Sequence, residues 1–293
     1  MTGRRTDPGE GERSVHAALA AARTAQHDKE GGWTGVVAAG TTRWEAIDVL
    51  VHHLLDAVDP VRVAEQHDWI VGRQNDDGGF PLRADGPSDL SCTVLTHVAL
   101  QLIGHAEDRE RLDHAARFTR RHGGIDAAGT EPARFWLAFT GAVGWDRTVP
   151  MPPELLLLPS WATGAVDGFD SPARALAAAV GVLGSVRPVR KLPIDTAPLH
   201  VGRSTRPALR EAAATAVLRT AHALGRHSPR PLRRKALREA EHRLLDGQES
   251  DGRWGGGRPG TAVCVLALWA ASSRTQRAAG ATTPCPPRAQ PNG

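Results

Sequence analysis

One phrase recurs along this chain, and it constrains the fold more than any other feature. Its fullest copy runs Gln248, three residues, Gly252, one residue, Trp254, and then Gly255-Gly256. A second copy is Gln74, three residues, Gly78, then Gly79-Phe80. A looser third copy joins Gln26 to Trp33, with one extra residue before its Gly-Gly-Trp. Each follows a segment with helical periodicity, so the phrase is read as a helix-ending device. The Gln side chain is long enough to bond the orphan backbone groups of a neighbouring helix. The glycine is expected to supply the left-handed conformation that stops the helix, and the aromatic ring to pack against the turn. A device repeated in this way locks one helix pair to the next and predicts a repeated helical architecture. Its role is structural.

The remaining periodicity is helical as well. Trp44, Ile47, Val51, Leu54, Leu55 and Val58 form one stripe, which Asp59-Pro60 is expected to terminate. Leu95, Val98, Ala99 and Leu102 form another behind Pro87-Ser88-Asp89, where Ser or Asp can cap. Similar segments are expected near 14–25, 61–73, 109–121, 133–143, 172–185, 207–225, 231–247 and 261–272. No alternating β-branched run bounded by hairpin signals stands out, so the fold class is all-α. A folded domain is expected over 14–272, between Gly/Pro/Arg/Thr-rich tails at 1–13 and 273–293.

Composition excludes several classes. No apolar run approaches the ~18 residues of a membrane span, and the first residues lack the apolar core of a secretory signal. Cys92, Cys264 and Cys285 are widely spaced, which fits a reducing cytosol. The segment 187–239 carries 13 Lys/Arg against 3 Asp/Glu. Such a stretch can face nucleic acid, anionic lipid or a diphosphate, or simply be a solvated helix face. No helix-turn-helix spacing, zinc finger or aromatic-interleaved basic motif accompanies it, so no nucleic-acid partner is expected.

The Gln–Gly–aromatic phrase resembles the QW motif of the squalene–hopene and oxidosqualene cyclases, and the likeness runs well beyond it. Gly78-Gly79-Phe80-Pro81-Leu82, Pro87-Ser88-Asp89-Leu90-Ser91, Ala99-Leu100-Gln101-Leu102-Ile103-Gly104, Gly123-Gly124-Ile125, Arg134-Phe135-Trp136-Leu137-Ala138, Val149-Pro150-Met151-Pro152-Pro153-Glu154 and Trp254-Gly255-Gly256 are similar to that family's N-terminal barrel, the γ domain, in the same order. The resemblance covers roughly residues 14–271 and implies an α/α barrel (an α6–α6 toroid). It implies terpenoid chemistry of class II, which needs no metal or other cofactor. An acid protonates an alkene or epoxide, and aromatic rings stabilise the cations as the polyene closes. The implied substrate is an apolar polyprenyl or triterpene-type chain, held in a cavity between this barrel and a second one.

The resemblance also transfers candidate residues. Trp136, preceded by Phe135, and Phe169 stand at cavity-lining positions of the family; for Trp136 core packing is an equal reading, and for Phe135 it is the leading one. Arg258-Pro259-Gly260 stands where the family has a Gln-Pro-Pro cavity loop, so Arg258 and Pro259 are candidate substrate contacts. Other positions depart. Ser171-Pro172 replaces a Ser-Trp, and Ile47 and Leu95 occupy the places of two glutamates. The acid motif Asp-x-Asp-Asp, which belongs to the second barrel, is nowhere in the sequence. The adjacent pair Asp76-Asp77 lies inside a Gln–Gly–aromatic loop, where Asp favours turn formation.

The leading expectation is therefore a cyclase component in the cytoplasm that works with a separately encoded catalytic barrel supplying the acid, or as a homo-oligomer. It is expected to rest on one face of a membrane through Leu155-Leu156-Leu157-Leu158-Pro159-Ser160-Trp161 or the basic segment, burial of that run being the competing reading. A non-catalytic isoprenoid- or protein-binding barrel is the alternative. A zinc-dependent prenyltransferase β-like subunit is a third, although neither Cys92 nor Cys264 has a His or Asp at helical ligand spacing. His52-His53 lie on adjacent helix faces and cannot chelate one ion from a regular helix.

Overall fold

A computed structural model of the chain describes residues 13–16, 42–83, 85–128, 131–148, 151–159, 170–201, 228–255 and 257–278. The expectations at Gln26, Trp33 and Phe169, and the helix expected near 207–225, lie outside these residues. The chain divides into two compact units. One takes Glu30–Pro152 and Arg187–Leu232; the other takes Met1–Lys29, Pro153–Val186 and Arg233–Gly293.

In the first unit, α1 (Thr42–Leu54) is followed by α2 (Pro60–Val71). The stripe starting at Trp44 ends earlier than its spacing predicts. After Leu54 the chain turns through Asp56, held at φ 53, and the Ala57 amide donates to His52 O at 2.9 Å. Asp59-Pro60 opens α2 instead of closing α1: Asp59 Oδ1 accepts from the Val61 amide at 3.0 Å. Pro is favoured at the first helical position and Asp at the cap before it, so the same pair serves as a start.

Two short strands come next, β1 (Phe80–Pro81) and β2 (Ser88–Asp89), paired antiparallel with Phe80 opposite Asp89. The sequence gives no sign of them, because two residues are too few to carry an alternating pattern. They lead into α3 (Leu90–Ile103), the centre of this unit. Every residue from Ser91 to Leu100 is buried. Its N-terminus is capped as expected, Asp89 Oδ1 accepting from the Cys92 amide at 2.7 Å. Gly104, left-handed at φ 78, ends it. Helix burial on all sides requires its polar side chains to find partners. Thr93 donates to Asp89 O at 2.7 Å and accepts from the Phe80 amide at 2.9 Å; Thr96 and Cys92 each share a hydrogen bond with Thr42 at 3.1 Å. α4 (Arg109–Arg121) turns Ala115, Ala116, Phe118 and Thr119 inward, and α5 (Glu131–Ala138) follows. α1, α4 and α5 all pack on α3. The returning segment 187–201 is bonded along this unit: Arg190 Nη1 donates to Leu54 O at 2.8 Å, and the Gln101 amide group exchanges hydrogen bonds with the Asp195 backbone.

The second unit is built on α6 (Ser171–Val186), α7 (Arg230–Asp246, which enters it after its first turn) and α8 (Gly257–Ala278). α6 lies along α8. α8 outruns at both ends the segment expected from periodicity. The turn Pro153–Leu157 is fastened to α7 by Arg233 Nε on Glu154 Oε1 at 2.9 Å and by Arg243 Nη2 on Leu156 O at 3.0 Å. Leu156 is buried here, while Leu155, Leu157 and Leu158 are half-buried. Among the described residues the fold is all-α but for the β1–β2 pair.

Candidate functional site

The two described Gln–Gly–aromatic loops have the same wiring. Gln74 Nε2 donates to Gly78 O at 2.9 Å, and Gln248 Nε2 donates to Gly252 O at 2.9 Å. Each Gln reaches a second element within its own unit: Gln74 bonds Arg111 O at 3.0 Å on α4, and Gln248 exchanges hydrogen bonds with the Ser14 backbone and hydroxyl. An Asp then braces each turn, Asp77 Oδ1 accepting from the Gly79 amide and Asp251 Oδ1 from the Arg253 amide, both at 2.9 Å. The glycine does a different job from the one its position suggested. α2 ends at Val71 and α7 at Asp246, before either Gln, and neither is stopped by the motif glycine. Gly78 (φ 87) and Gly252 (φ 82) instead fold the loop back so that their carbonyls meet the Gln. At Gly78 a Cβ would also stand 2.7 Å from His114 O, so only glycine fits. The aromatic ends each loop in the interior: Phe80 and Trp254 are buried, and Trp254 Nε1 donates to Leu244 O at 2.7 Å.

Asp76-Asp77 is part of this clamp. Asp77 also accepts from Ser88 Oγ at 2.7 Å, and both acids are exposed. An exposed turn carboxylate is not the strong, enclosed acid that alkene protonation demands. The buried Asp108 is engaged, its Oδ2 lying 2.8 Å from His67 Nε2, and two half-buried carboxylates are paired with arginines: Asp48 Oδ2 with Arg62 Nη2 at 2.6 Å, and Glu154 with Arg233.

Phe135 and Trp136 sit on α5 inside an aromatic cluster completed by Phe139 and Trp145. Phe135 meets Trp136, Phe139 and Trp145 edge-on, with centroids 5.4–6.0 Å apart. Phe139 and Trp145 are 5.0 Å apart, and Trp145 Nε1 is fixed to Pro188 O at 3.2 Å. Trp136 and Phe139 are buried, while Phe135 is half-buried. Such ring pairs add rigidity beyond their buried area, and a ring face can stabilise a cation. Phe139 and Trp145 were not singled out in the sequence; their spacing from Trp136 along α5 and the following turn was the available signal.

Ile47 and Leu95 are both buried, on the mutually packed α1 and α3. Arg258 and Pro259 open α8 in the other unit, half-buried in its first turn. Pro is tolerated there because the first amides of a helix have no intrahelical acceptor. A buried polar network also escaped the sequence: Arg62 and Gln66 of α2 converge on Asp48 of α1, with Gln66 also 3.2 Å from Glu45. Polar residues on the inward face of an otherwise amphipathic helix were the only hint. The two described cysteines are buried: Cys92 bonds Thr42 and Pro81 O, and burial pushes the Cys264 thiol up to about 12. That environment does not suit a thiolate ligand.

An all-α fold with helix-locking Gln–Gly–aromatic loops and an aromatic cluster defines a class, and comparison with known proteins narrows it. Residues 15–281 match the squalene-hopene cyclase N-terminal domain. The squalene–hopene cyclase of Alicyclobacillus acidocaldarius is 33% identical over 246 residues, 82% of this chain and 39% of that protein. That of Bradyrhizobium diazoefficiens is 29% identical over 164 residues, 56% of this chain and 25% of its own length. A lanosterol synthase of Aspergillus fumigatus is 36% identical over 105 residues, 36% of this chain and 14% of the relative. The chain belongs to the squalene–hopene cyclase N-terminal domain family. It spans well under half the length of the squalene–hopene cyclases it matches.

Proposed function

We propose that this chain is the N-terminal domain of a class II terpene cyclase and acts with a catalytic barrel, outside these 293 residues, that carries the protonating acid. The observation that carries this reading is the pairing of an N-terminal-domain match over residues 15–281 with a sequence that lacks Asp-x-Asp-Asp. In the proposal Trp136 and Phe135 offer ring faces to cations formed on an apolar polyene, and Phe169, Arg258 and Pro259 are candidate substrate contacts. The buried Ile47 and Leu95 make the wall more apolar than glutamates would. This domain shapes and shields the substrate, and excluding water protects the cations from capture.

The test is reconstitution. The purified chain, a catalytic barrel bearing Asp-x-Asp-Asp, and squalene are combined and products read by mass spectrometry. Cyclised product should form in the mixture and not with the chain alone. Product from the chain alone, or neither complex nor product in the mixture, would falsify the proposal. A second reading, an isoprenoid-binding domain without catalysis, draws on the loss of both glutamates. It predicts thermal stabilisation by squalene in the absence of any product.

The same reading places the protein at a membrane surface, where such substrates dissolve. The half-buried Leu155, Leu157 and Leu158 support it as the contact segment. No described helix is long and apolar enough to cross a membrane.

A further inference from the structure

Several described histidines are satisfied locally. His52, His53 and His122 each place Nδ1 2.7–2.9 Å from the carbonyl four residues back on their own helix. His67 is different. It faces inward from α2, and the fold brings to it His105, just after the left-handed Gly104, and Asp108, the residue before α4. One ligand-type atom from each of the three lies within 4.8 Å of the others. His67 Nε2 is 2.8 Å from Asp108 Oδ2, and the two imidazole centroids are 4.1 Å apart. His67 and Asp108 are 7% and 2% exposed, whereas the His105 side chain is 42% exposed. The cluster is enclosed on two sides and open to solvent on the third.

Asp108 precedes α4 but makes no side-chain cap. Its Oδ2 turns to His67, and its Oδ1 lies 3.5 Å from Arg111 Nε. Two exposed acids lie nearby, Asp68 Oδ1 3.5 Å from His67 Nδ1 and Glu107 Oε1 3.7 Å from His105 Nδ1.

We propose that His67, His105 and Asp108 form a site for a divalent cation of the zinc class, which clips α2 to the corner between α3 and α4. Two imidazoles and one carboxylate suit zinc, cobalt or nickel, whereas magnesium and calcium prefer all-oxygen shells. Donors on a tetrahedral ion bound at ~2.0–2.1 Å stand about 3.3 Å apart. The 2.8 Å His67–Asp108 contact therefore has to open by roughly half an ångström, with the ion displacing the proton shared between them. The positive charge of Arg111 opposes the ion, but it lies beside the other carboxylate oxygen. Water completes the shell on the exposed His105 side. This proposal does not depend on the cyclase reading, because the site carries no step of that chemistry.

The experiment uses the full chain, stripped with a chelator and titrated with Co²⁺, whose visible absorption reports its ligands, followed by displacement with Zn²⁺. One saturable equivalent with a tetrahedral-type spectrum is expected. At about 100 times Kd, Zn²⁺ should raise Tm by roughly 5–10 °C. His105→Ala removes the half-exposed ligand and leaves the His67–Asp108 contact in place. It should keep the metal-free Tm and weaken binding at least tenfold. Absence of a saturable cobalt spectrum, or equal affinity in His105→Ala, overturns the site and leaves a histidine–aspartate pair that only seals the corner.

Discussion

Gln74 and Gln248 each use one amide group to close a loop and to hold a second element, and that double use makes them sensitive positions. Gln74→Ala leaves the Gly78 and Arg111 carbonyls without this donor, so a loss of about 2 kcal/mol is expected in urea unfolding. Trp254→Ala removes a buried indole and its bond to Leu244 O, which should cost about 3–5 kcal/mol. His97 sets a pH dependence. Burial pushes it down from 6.5 to about 4, against the opposing pull of Asp195 and Asp113. The unfolded chain therefore binds a proton between these values that the folded chain refuses. The resulting stability is fully present above pH 6.5 and is lost as pH falls towards 4, by about 3 kcal/mol over the window. Urea unfolding of His97→Gln should show a flatter pH profile there; an unchanged slope would assign the effect to other groups.

At the scale of elements, the capping residues decide where helices begin, and they are only partly legible. A cap at Ser88 or Asp89 was readable because that polar pair precedes an apolar run, and the fold uses Asp89 for α3. Asp89→Ala is expected to cost about 1 kcal/mol, with hydrogen exchange rising first at the Cys92 amide. Asp59-Pro60 was readable only as a boundary. Its sense, stop or start, was settled by the turn at Asp56 and by Val58 being exposed, beyond the buried stripe. The turn Pro153–Leu157 and the three half-exposed leucines around it carry the membrane proposal. Leu157→Asp should reduce co-sedimentation with phospholipid vesicles while leaving Tm nearly unchanged, since Leu156 is the leucine of this turn that is buried.

At the scale of the whole molecule, the collinear series from Gly78 to Gly256 led to the family, and the match over residues 15–281 shows it. The missing acid was equally plain, since an absent motif can be read from the chain alone. Reconstitution with a catalytic barrel is the decisive measurement at this scale, and Trp136→Ala should lower product yield there more than it lowers complex formation. The sequence by itself determined the all-α class and the family, because these depend on local periodicity and fixed short spacings. Tertiary structure alone decided what Gly78 and Gly252 do, which rings surround Trp136, and that His67, His105 and Asp108 meet. Those outcomes depend on backbone conformation and on contacts between residues distant in sequence, and no local pattern of residue types records either one.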